Sequence, residues 1–262
     1  MFDIIRIPAL KDNYIWLLRK GQTAIVIDPG EASPVENALL REKLSLRAVF
    51  VTHEHADHQG GIAGLLTRHA ADVFGPAAES ITALTRPLRG GETVCPDWDG
   101  GEFKVISVPG HTRGHLAYYG SGCLFSGDTL FAGGCGRLFG GSPEQMFDSL
   151  RRLAALPDET ALYCAHEYTE ANLRFAMAVE PGNRLLRARV NETAVARAKG
   201  WATLPSTLAL EKATNPFLRC EAPEVIDSAA RRMEPALLEK SGYSLEPCVV
   251  FSTLREWKNG FG

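Results

Sequence analysis

Apolar positions in the first two thirds of the chain follow two spacings. Short runs of alternating or continuous apolar residues, rich in β-branched and aromatic side chains, predict strands at 2–9, 13–20, 23–30, 46–53, 71–76, 103–111, 116–128 and 160–166. Segments 33–44 and 60–70 have helical spacing, and Ser33 followed by Pro34 predicts a capped start for the first of these helices. Strands that alternate with helices in this way predict a layered domain that mixes both elements.

The pattern changes beyond about residue 170. Apolar residues there keep helical spacing within the segments 169–180, 184–200, 223–233 and 248–259, and the loops between them contain proline. The predicted strands stop just before this region, so we place a boundary between Tyr168 and Asn172. We predict an α+β domain at 1–170 and a smaller helical domain at 171–262.

Composition and charge narrow the classes of function. Of the 262 residues, 45% are hydrophobic and 23% are charged, and the formal net charge is −3. Such a balance does not favour nucleic acid, and no apolar run approaches the roughly 20 residues of a membrane span, so we expect neither partner. The six cysteines are scattered and form no CxxC pair, which favours reduced thiols and a cytoplasmic protein.

Side chains with metal-binding chemistry crowd the end of the predicted strand at 46–53. The stretch THEHADH contains His53, His55, Asp57 and His58. In an extended backbone His53 and His55 point to the same side, and the chain then turns before the other two follow. Imidazole and carboxylate ligands suit zinc, iron or manganese. A hydrophilic loop would explain one such residue but not four together, so we predict a metal site.

Three more residues of this type stand at the ends of later predicted strands. His111 lies in VPGHTRGH, Asp128 in FSGDTLF and His166 in YCAHEYT. Glycine or alanine precedes each of them, which allows close approach of the backbone. Each alone would suit an ordinary turn or strand end. Together with the cluster they supply seven ligands, enough for two metal ions.

In order and context these motifs resemble the metallo-β-lactamase superfamily, whose signature is HxHxDH. The resemblance implies an αββα sandwich. Further segments are similar to the glyoxalase II family of hydroxyacylglutathione hydrolases, namely PALKDNYIWLL, GHTRGH, SGDTLFAGGCGRLF, YCAHEYTEANLRFA, PSTLALEKATNPFLR and the terminal LREWK. This similarity runs from about residue 8 to the C-terminal end, so the helical domain is part of it.

The resemblance implies two divalent metal ions per chain, which we expect to be zinc, with iron or manganese as alternatives. The expected ligands form a first ligand set, His53, His55 and His111, and a second ligand set, Asp57, His58 and His166. Asp128 is expected to bridge the two ions together with a water or hydroxide. The carboxylates Asp57 and Asp128 are therefore the expected catalytic residues of the chain.

Neighbouring polar residues are expected to have other roles. His115 closes GHTRGH and is expected to form hydrogen bonds behind the ligands. Glu54 occupies the variable position between two ligands and should point away from the metals. His69, in the predicted helix at 60–70, is expected at the surface or in packing. The NPFLR segment, 215–219, is expected to support the junction of the two domains.

The same resemblance implies a hydrolase that cleaves the thioester S-D-lactoylglutathione to D-lactate and glutathione, the second step of methylglyoxal detoxification. Glutathione is an anionic tripeptide, so cations and hydrogen-bond donors should hold it. The family's substrate contacts fall on Arg137, Phe139, Tyr168, Arg255 and Lys258. We expect a monomer that acts on this small molecule.

One loop departs from the family pattern. Family members commonly carry tyrosine or phenylalanine where Phe139 stands, and often glutamate where Gly140 stands. Phe139 cannot donate a phenolic hydrogen bond, and the loss of one such bond weakens binding by about 0.5–1.5 kcal/mol. The departure concerns the affinity for glutathione rather than the type of reaction.

Other functions within the same fold fit the sequence less well. A persulfide dioxygenase would use a single iron and would lack the long C-terminal helical segment with NPFLR. A β-lactamase would lack an equivalent helical appendage, and a nuclease would favour a basic surface. A scaffold without activity would be credible only if a ligand such as His111 were missing. We therefore expect the hydrolase, with the dioxygenase or another hydrolase of this fold as the alternative.

Overall fold

The fold comes from a computed structural model that describes residues 2–233 and 245–261. Its strands are β1 Asp3–Ala9, β2 Asn13–Lys20, β3 Thr23–Ile27, β4 Ser45–Phe50, β5 Asp72–Pro76, β6 Arg86–Leu88, β7 Thr93–Val94, β8 Phe103–Ser107, β9 Leu116–Gly120, β10 Cys123–Gly127, β11 Leu130–Phe131, β12 Gly134–Cys135, β13 Ala161–Cys164 and β14 Ser206–Thr207. Its α-helices, labelled in chain order over these residues, are α1 Ala32–Glu42, α2 Ala56–Gln59, α3 Ile62–Leu66, α4 Pro143–Ala154, α5 Thr169–Val179, α6 Arg184–Ala198, α7 Leu208–Thr214, α8 Pro223–Ala230 and α9 Pro247–Asn259.

Most of these strands belong to two sheets of six strands each. The first has the order β1-β2-β3-β4-β5-β6 and the second the order β14-β13-β10-β9-β8-β7, while β11 and β12 form a separate hairpin. Strands β3 to β6 are parallel to one another, whereas β1, β2 and β3 pair in antiparallel fashion. The parallel arrangement brings the ends of β4 and β5 to one edge of the first sheet.

Strand β2 shows why so many strand positions are apolar. Its side chains alternate, so that Ile15 and Leu17 join the core beneath the N-terminal helices, while Trp16 and Leu18 join the core between the sheets. A strand covered on both faces needs apolar residues along its whole length. Trp16 satisfies its indole by donating to the carbonyl oxygen of Cys164 across the sandwich, at 3.1 Å.

The layers therefore run helix, sheet, sheet, helix, and the expected αββα sandwich is confirmed. Phe50 of the first sheet meets Tyr118 of the second with ring centroids 4.8 Å apart. Helices α1 and α3 cover the outer face of the first sheet. Helix α4 and the C-terminal helices cover the second, with Leu124, Leu150 and Phe251 in one buried cluster. The predicted strands are also confirmed, with ends shifted by a few residues, except that the segment 116–128 forms two antiparallel strands, β9 and β10, rather than one.

Two details of the predicted helices are wrong. Helix α1 begins at Ala32 with Glu31 as its N-cap, so Ser33 is not the capping residue and Pro34 is not the first helical position. Both lie inside the first turn, where a missing N–H costs no helical hydrogen bond. The predicted helix at 60–70 is a short helix, α3, preceded by a single turn, α2. His69 follows α3 rather than lying within it.

Helix α4 and strand β14 do not follow from the periodicity used for the prediction. Helix α4 begins with a capping box in which Ser142 and Gln145 exchange side-chain and backbone hydrogen bonds. Strand β14 lies beyond the proposed boundary and extends the second sheet by pairing with β13. The C-terminal helices are therefore joined to the sandwich by a strand as well as by side chains.

Candidate metal centre and substrate cavity

The loop after β4 carries four of the predicted ligands. Strand β4 is hydrogen-bonded on both sides, to β3 and β5, and this fixes where the loop begins. His53 follows in a bend of the chain rather than in the extended backbone that was expected, His55 is the N-cap of α2, and the turn of α2 then presents Asp57 and His58. The predicted turn between the two pairs is thus real.

All seven predicted ligands meet at one end of the sandwich. The ligand atoms of the first ligand set lie within 4.8 Å of one another, as do those of the second ligand set. Nε2 of His53 and Nε2 of His111 lie 3.0 and 3.1 Å from Nδ1 of His55. Ligands bound tetrahedrally to zinc at about 2.0–2.1 Å lie about 3.3 Å apart. The spacing of these nitrogens therefore fits a small divalent ion.

Asp128 lies between the two ligand sets. Its Oδ1 is 3.5 Å from Nε2 of His58 and 3.3 Å from Nε2 of His166, and its Oδ2 is 3.5 Å from Nε2 of His111. Among the described residues, Oδ1 of Asp128 and Nε2 of His58 are buried without a hydrogen-bond partner. Buried polar atoms are rarely left unpaired, so their convergence suits a bound cation.

The outward nitrogens of several ligands are held by other side chains. Nδ1 of His58 donates to Asp28 at 3.0 Å, and Nδ1 of His166 donates to Asp12 at 2.9 Å. A carboxylate on one ring nitrogen leaves the other nitrogen free to bind a metal. Sequence reasoning missed both acids. The only signal was Asp28 at the end of a predicted strand, in VIDPG.

Two other contacts complete this outer layer. The carbonyl oxygen of Arg137 accepts from Nδ1 of His111 at 2.8 Å. Thr52 donates its hydroxyl proton to Asp28, so its oxygen accepts from Nδ1 of His53 at 3.0 Å. These bonds aim Nε2 of both histidines inward.

The remaining polar residues near the motifs lie where they were expected. Nε2 of His115 accepts from the backbone N–H of Asp128 at 3.2 Å, and its ring stacks on His53. The carboxylate of Glu54 points away from the centre and accepts from the N–H of Ser80. His69 is partly buried and pairs with Glu36. None of the three contributes to the two ligand sets.

Charge at the centre favours a cation. Burial and the neighbouring histidines hold the pKa of His53 well below its ordinary value, so its ring is neutral. Burial disfavours a charge on His58 as well, but Asp128 and Asp28 outweigh it and raise that pKa. Burial also opposes ionisation of Asp57 and Asp128, yet contacts with His58 hold both pKa values well below the usual range. Two ionised carboxylates thus face the centre at neutral pH.

A cavity of about 420 Å³ opens onto this centre. It is lined by His111, Asp128, Phe131, Cys135, Arg137, Phe139, Tyr168, Ala171, Asn172, Arg255, Lys258 and Phe261. The structure therefore brings all five predicted substrate contacts to one cavity beside two predicted ligands. Sequence reasoning did not single out the apolar wall formed by Phe131 and Phe261.

The two cations of α9 differ in their surroundings. Arg255 is buried and donates to the carbonyl oxygens of Cys135 and Gly136, at 2.8 and 3.3 Å. Lys258 is half-buried and donates to the carbonyl oxygen of Ala171 at 3.2 Å. Burial, with the positive charge of Arg255, lowers the pKa of Lys258 to about 8. Lys258 is the more accessible of the two for an anionic ligand.

Aromatic residues flank the same opening. Tyr168 stacks on His166 with ring centroids 4.7 Å apart. Burial and nearby carboxylates raise the pKa of Tyr168, so its phenol keeps its proton and can donate a hydrogen bond. Phe139 is 67% exposed, and its ring lies nearly perpendicular to the rings of His55 and His111, with centroids 5.6 and 5.3 Å away.

The loop that follows β12 and carries Arg137 and Phe139 passes very close to Asp128. A side chain at Gly136 would strike the carbonyl oxygen of Asp128, so this position needs glycine. The close approach brings Arg137 and Phe139 to the mouth of the centre.

Comparisons with known proteins identify the superfamily of the chain. Residues 10–166 match the family model described as the metallo-β-lactamase superfamily. The chain shares 25% identity with ETHE1 from Myxococcus xanthus over 98% of both chains, with a TM-score of 0.63. It shares 28% identity with TTHA1623, solved in a di-iron-bound form, over 81% of this chain and 98% of that one, with a TM-score of 0.57. The chain belongs to the metallo-β-lactamase superfamily.

The C-terminal region and the curated relatives narrow the assignment. Residues 167–261 match the model described as the hydroxyacylglutathione hydrolase C-terminus. The chain is 51% identical to the hydroxyacylglutathione hydrolase of Dechloromonas aromatica over the full length of both. It is 50% identical to that of Alkalilimnicola ehrlichii over 99% of both. Within the superfamily, the chain belongs to the hydroxyacylglutathione hydrolase family.

Proposed function

We propose that this chain hydrolyses S-D-lactoylglutathione to D-lactate and glutathione at a centre of two divalent metal ions. The observation that carries the proposal is the convergence of both ligand sets on Asp128 at the floor of a cavity lined by cations. Full-length relatives named hydroxyacylglutathione hydrolase support the substrate class.

The proposed ligands are the two sets described above, with Asp128 offering one oxygen to each. When bound, two divalent ions would lower the pKa of a shared water and polarise a carbonyl group. The chain's own part is to hold the ligands for those ions. Asp28 and Asp12 fix the rings of His58 and His166, and Asp57 and Asp128 supply the negative charge.

The cavity residues would hold the glutathione part of the substrate. Lys258 and Arg137 suit its carboxylates, and the protonated phenol of Tyr168 can donate to a backbone carbonyl. A thiol leaving group has a pKa of about 8.5, so it can leave without an acid from the protein. We propose that residues 1–170 supply the metal centre and the cavity wall with Arg137, Phe139 and Tyr168, and that the helical domain 171–262 binds the glutathione part through Arg255 and Lys258.

The proposal also covers the metal, the compartment and the oligomeric state. Zinc suits the histidine-rich centre, and iron is the alternative because TTHA1623 was solved in a di-iron-bound form. The free cysteines suit a cytoplasmic setting. A monomer is proposed because one chain supplies both ligand sets and the lining of the cavity. Over the described residues, no helix is long and apolar enough to cross a membrane. A persulfide dioxygenase with a single iron would leave the second ligand set without a purpose.

The test is hydrolysis of S-D-lactoylglutathione by the purified protein, with bound metal counted on the same sample. We expect rapid turnover that a chelator abolishes, with about two metals per chain. No turnover with two metals bound would mean that the substrate is another ester or thioester. No turnover with one iron bound would favour the dioxygenase.

A further inference from the structure

Glu79, in the loop after β5, joins two segments that are far apart in the sequence. Its Oε2 accepts from the backbone N–H of Glu54, and its Oε1 accepts from the backbone N–H of Gly114, both at 2.7 Å. Glu54 lies between two members of the first ligand set, and Gly114 lies three residues after the third. One carboxylate thus fixes both segments that supply the first ligand set.

The chain is built to let Glu79 come this close. A Cβ atom at Gly114 would lie 2.8 Å from Cγ of Glu79, so a larger residue there would displace the carboxylate. The residues that follow Glu79 are also bonded to the ligand loop, which is the segment after β4 that carries His53 to His58. Gln59, at the end of this loop, donates to the carbonyl oxygen of Ser80 and accepts from the N–H of Thr82. Those bonds reach only the ligand loop, whereas Glu79 also reaches the segment of His111.

The first ligand set needs such a clamp more than the second. Each member of the second set has a side-chain partner: Asp28 on His58, Asp12 on His166 and Asn13 on Asp57. His55 is different. Its Nδ1 points at the other ligands, and over the described residues its Nε2 forms no hydrogen bond. Apart from its contact with the ring of Phe139, the ring of His55 is positioned by its backbone, directly after the N–H that Glu79 holds.

We propose that Glu79 is a positioning residue for the metal at the first ligand set, an inference that rests on the proposed two-metal centre. Glu79→Gln keeps the shape of the side chain but leaves one of the two N–H groups facing an NH₂ donor. Outer-layer partners of metal ligands typically change metal affinity by about 10- to 100-fold. We expect a loss of this size at the first ligand set and little change at the second.

The control is Glu92→Gln. Glu92 also accepts two backbone N–H groups at 2.7 Å, from Arg89 and Gly90, but none of these groups lies at the metal centre. Parent and variant proteins are loaded with zinc and crystallised at graded chelator concentrations. Anomalous scattering at the zinc edge then gives the occupancy of each site. The melting temperatures of the metal-free forms show whether folding is affected.

The expected result is loss of the first site at a chelator concentration at least about tenfold lower in Glu79→Gln than in the control, with the second site unchanged. Equal occupancy in both proteins, or parallel loss from both sites, overturns the inference. If Glu79→Gln fails to fold, Gly114→Ala provides the same test by pushing Glu79 away. A parent protein that binds no metal at either site would refute the metal centre itself, and the inference with it. A filled centre without thioester turnover would refute only the proposed substrate.

Discussion

Replacing Lys258 with methionine tests whether the cavity binds its ligand through a positive charge. Methionine keeps an apolar side chain over the ring of Phe175, where the amine of Lys258 now lies 5.0 Å from the ring centroid. It removes the charge and the donor. We expect KM for the glutathione thioester to rise while kcat stays near that of the parent, because the contact lies on a part of the substrate remote from the reacting carbonyl.

The size of the effect follows from the surroundings of Lys258. With a pKa of about 8, roughly ten of these amines are charged for each neutral one at pH 7. A hydrogen bond to a charged group contributes about 1.5–3 kcal/mol, or about 10- to 150-fold in binding. Because Lys258 is only half-buried, solvent screens part of this, and we expect a rise in KM of about tenfold.

The charge also sets a pH dependence with a definite sign. As the pH rises through about 8, free Lys258 loses its proton and kcat/KM for an anionic substrate falls. Lys258→Met should lack this fall, and Lys258→Arg should move it to higher pH. Initial rates from about pH 6 to about pH 9.5 measure both parameters. Lys104→Met, on the exposed side of β8, is the matched control.

Two results would refute this reasoning. If kcat falls as much as kcat/KM in Lys258→Met, the lysine acts on the reaction or on the metal centre rather than on binding. If Lys258→Met keeps the alkaline fall of the parent, another group is responsible for it.

Three other changes test the metal centre, the core and the mouth of the cavity. Asp128→Ala should remove at least one metal and nearly abolish hydrolysis, as metal counting beside turnover will show; full metal content with normal rates would exclude a bridging role. Glu211→Gln should destabilise the fold by about 3 kcal/mol in denaturant unfolding, because the buried guanidinium of Arg189 loses its anion; an unchanged midpoint would contradict this. Phe139→Tyr should lower KM by about two- to tenfold by adding a donor at the mouth of the cavity, and a KM that rises would contradict it.

The layers of the fold and the grouping of the ligands could be predicted because both depend on short patterns. A strand segment buried on both faces must be apolar, and the runs Tyr14–Leu18 in β2 and Ala48–Phe50 in β4 show this directly in the sequence. Asp128 and His166 lie just beyond the ends of β10 and β13, His111 lies in the loop after β8, and the layered fold brings these segments together. Spacing was therefore enough to select the residues that meet.

The partners of these ligands could not be predicted in the same way. Asp12, Asp28 and Glu79 are single acids in unrelated segments, and nothing local distinguishes them from surface carboxylates. Their roles arise only when tertiary structure places them within 3.0 Å of a ring nitrogen or a backbone N–H. The predicted start of α1 was wrong for a related reason, because a Ser-Pro pair suits the first turn of a helix as well as its cap.

Arg255 and Lys258 are neighbours in the cavity, yet the structure predicts different effects for their removal. Arg255 holds the carbonyl oxygens of Cys135 and Gly136, and the next residue along, Arg137, holds the ring of His111 through its own carbonyl oxygen. Loss of Arg255 would therefore loosen a metal ligand as well as a substrate contact, and both kcat and KM should change. Lys258 has no such connection, since its backbone partner lies on α5. Two residues three positions apart on one helix are therefore expected to differ in effect: Lys258 contributes to binding alone, whereas Arg255 contributes to binding and to the reaction.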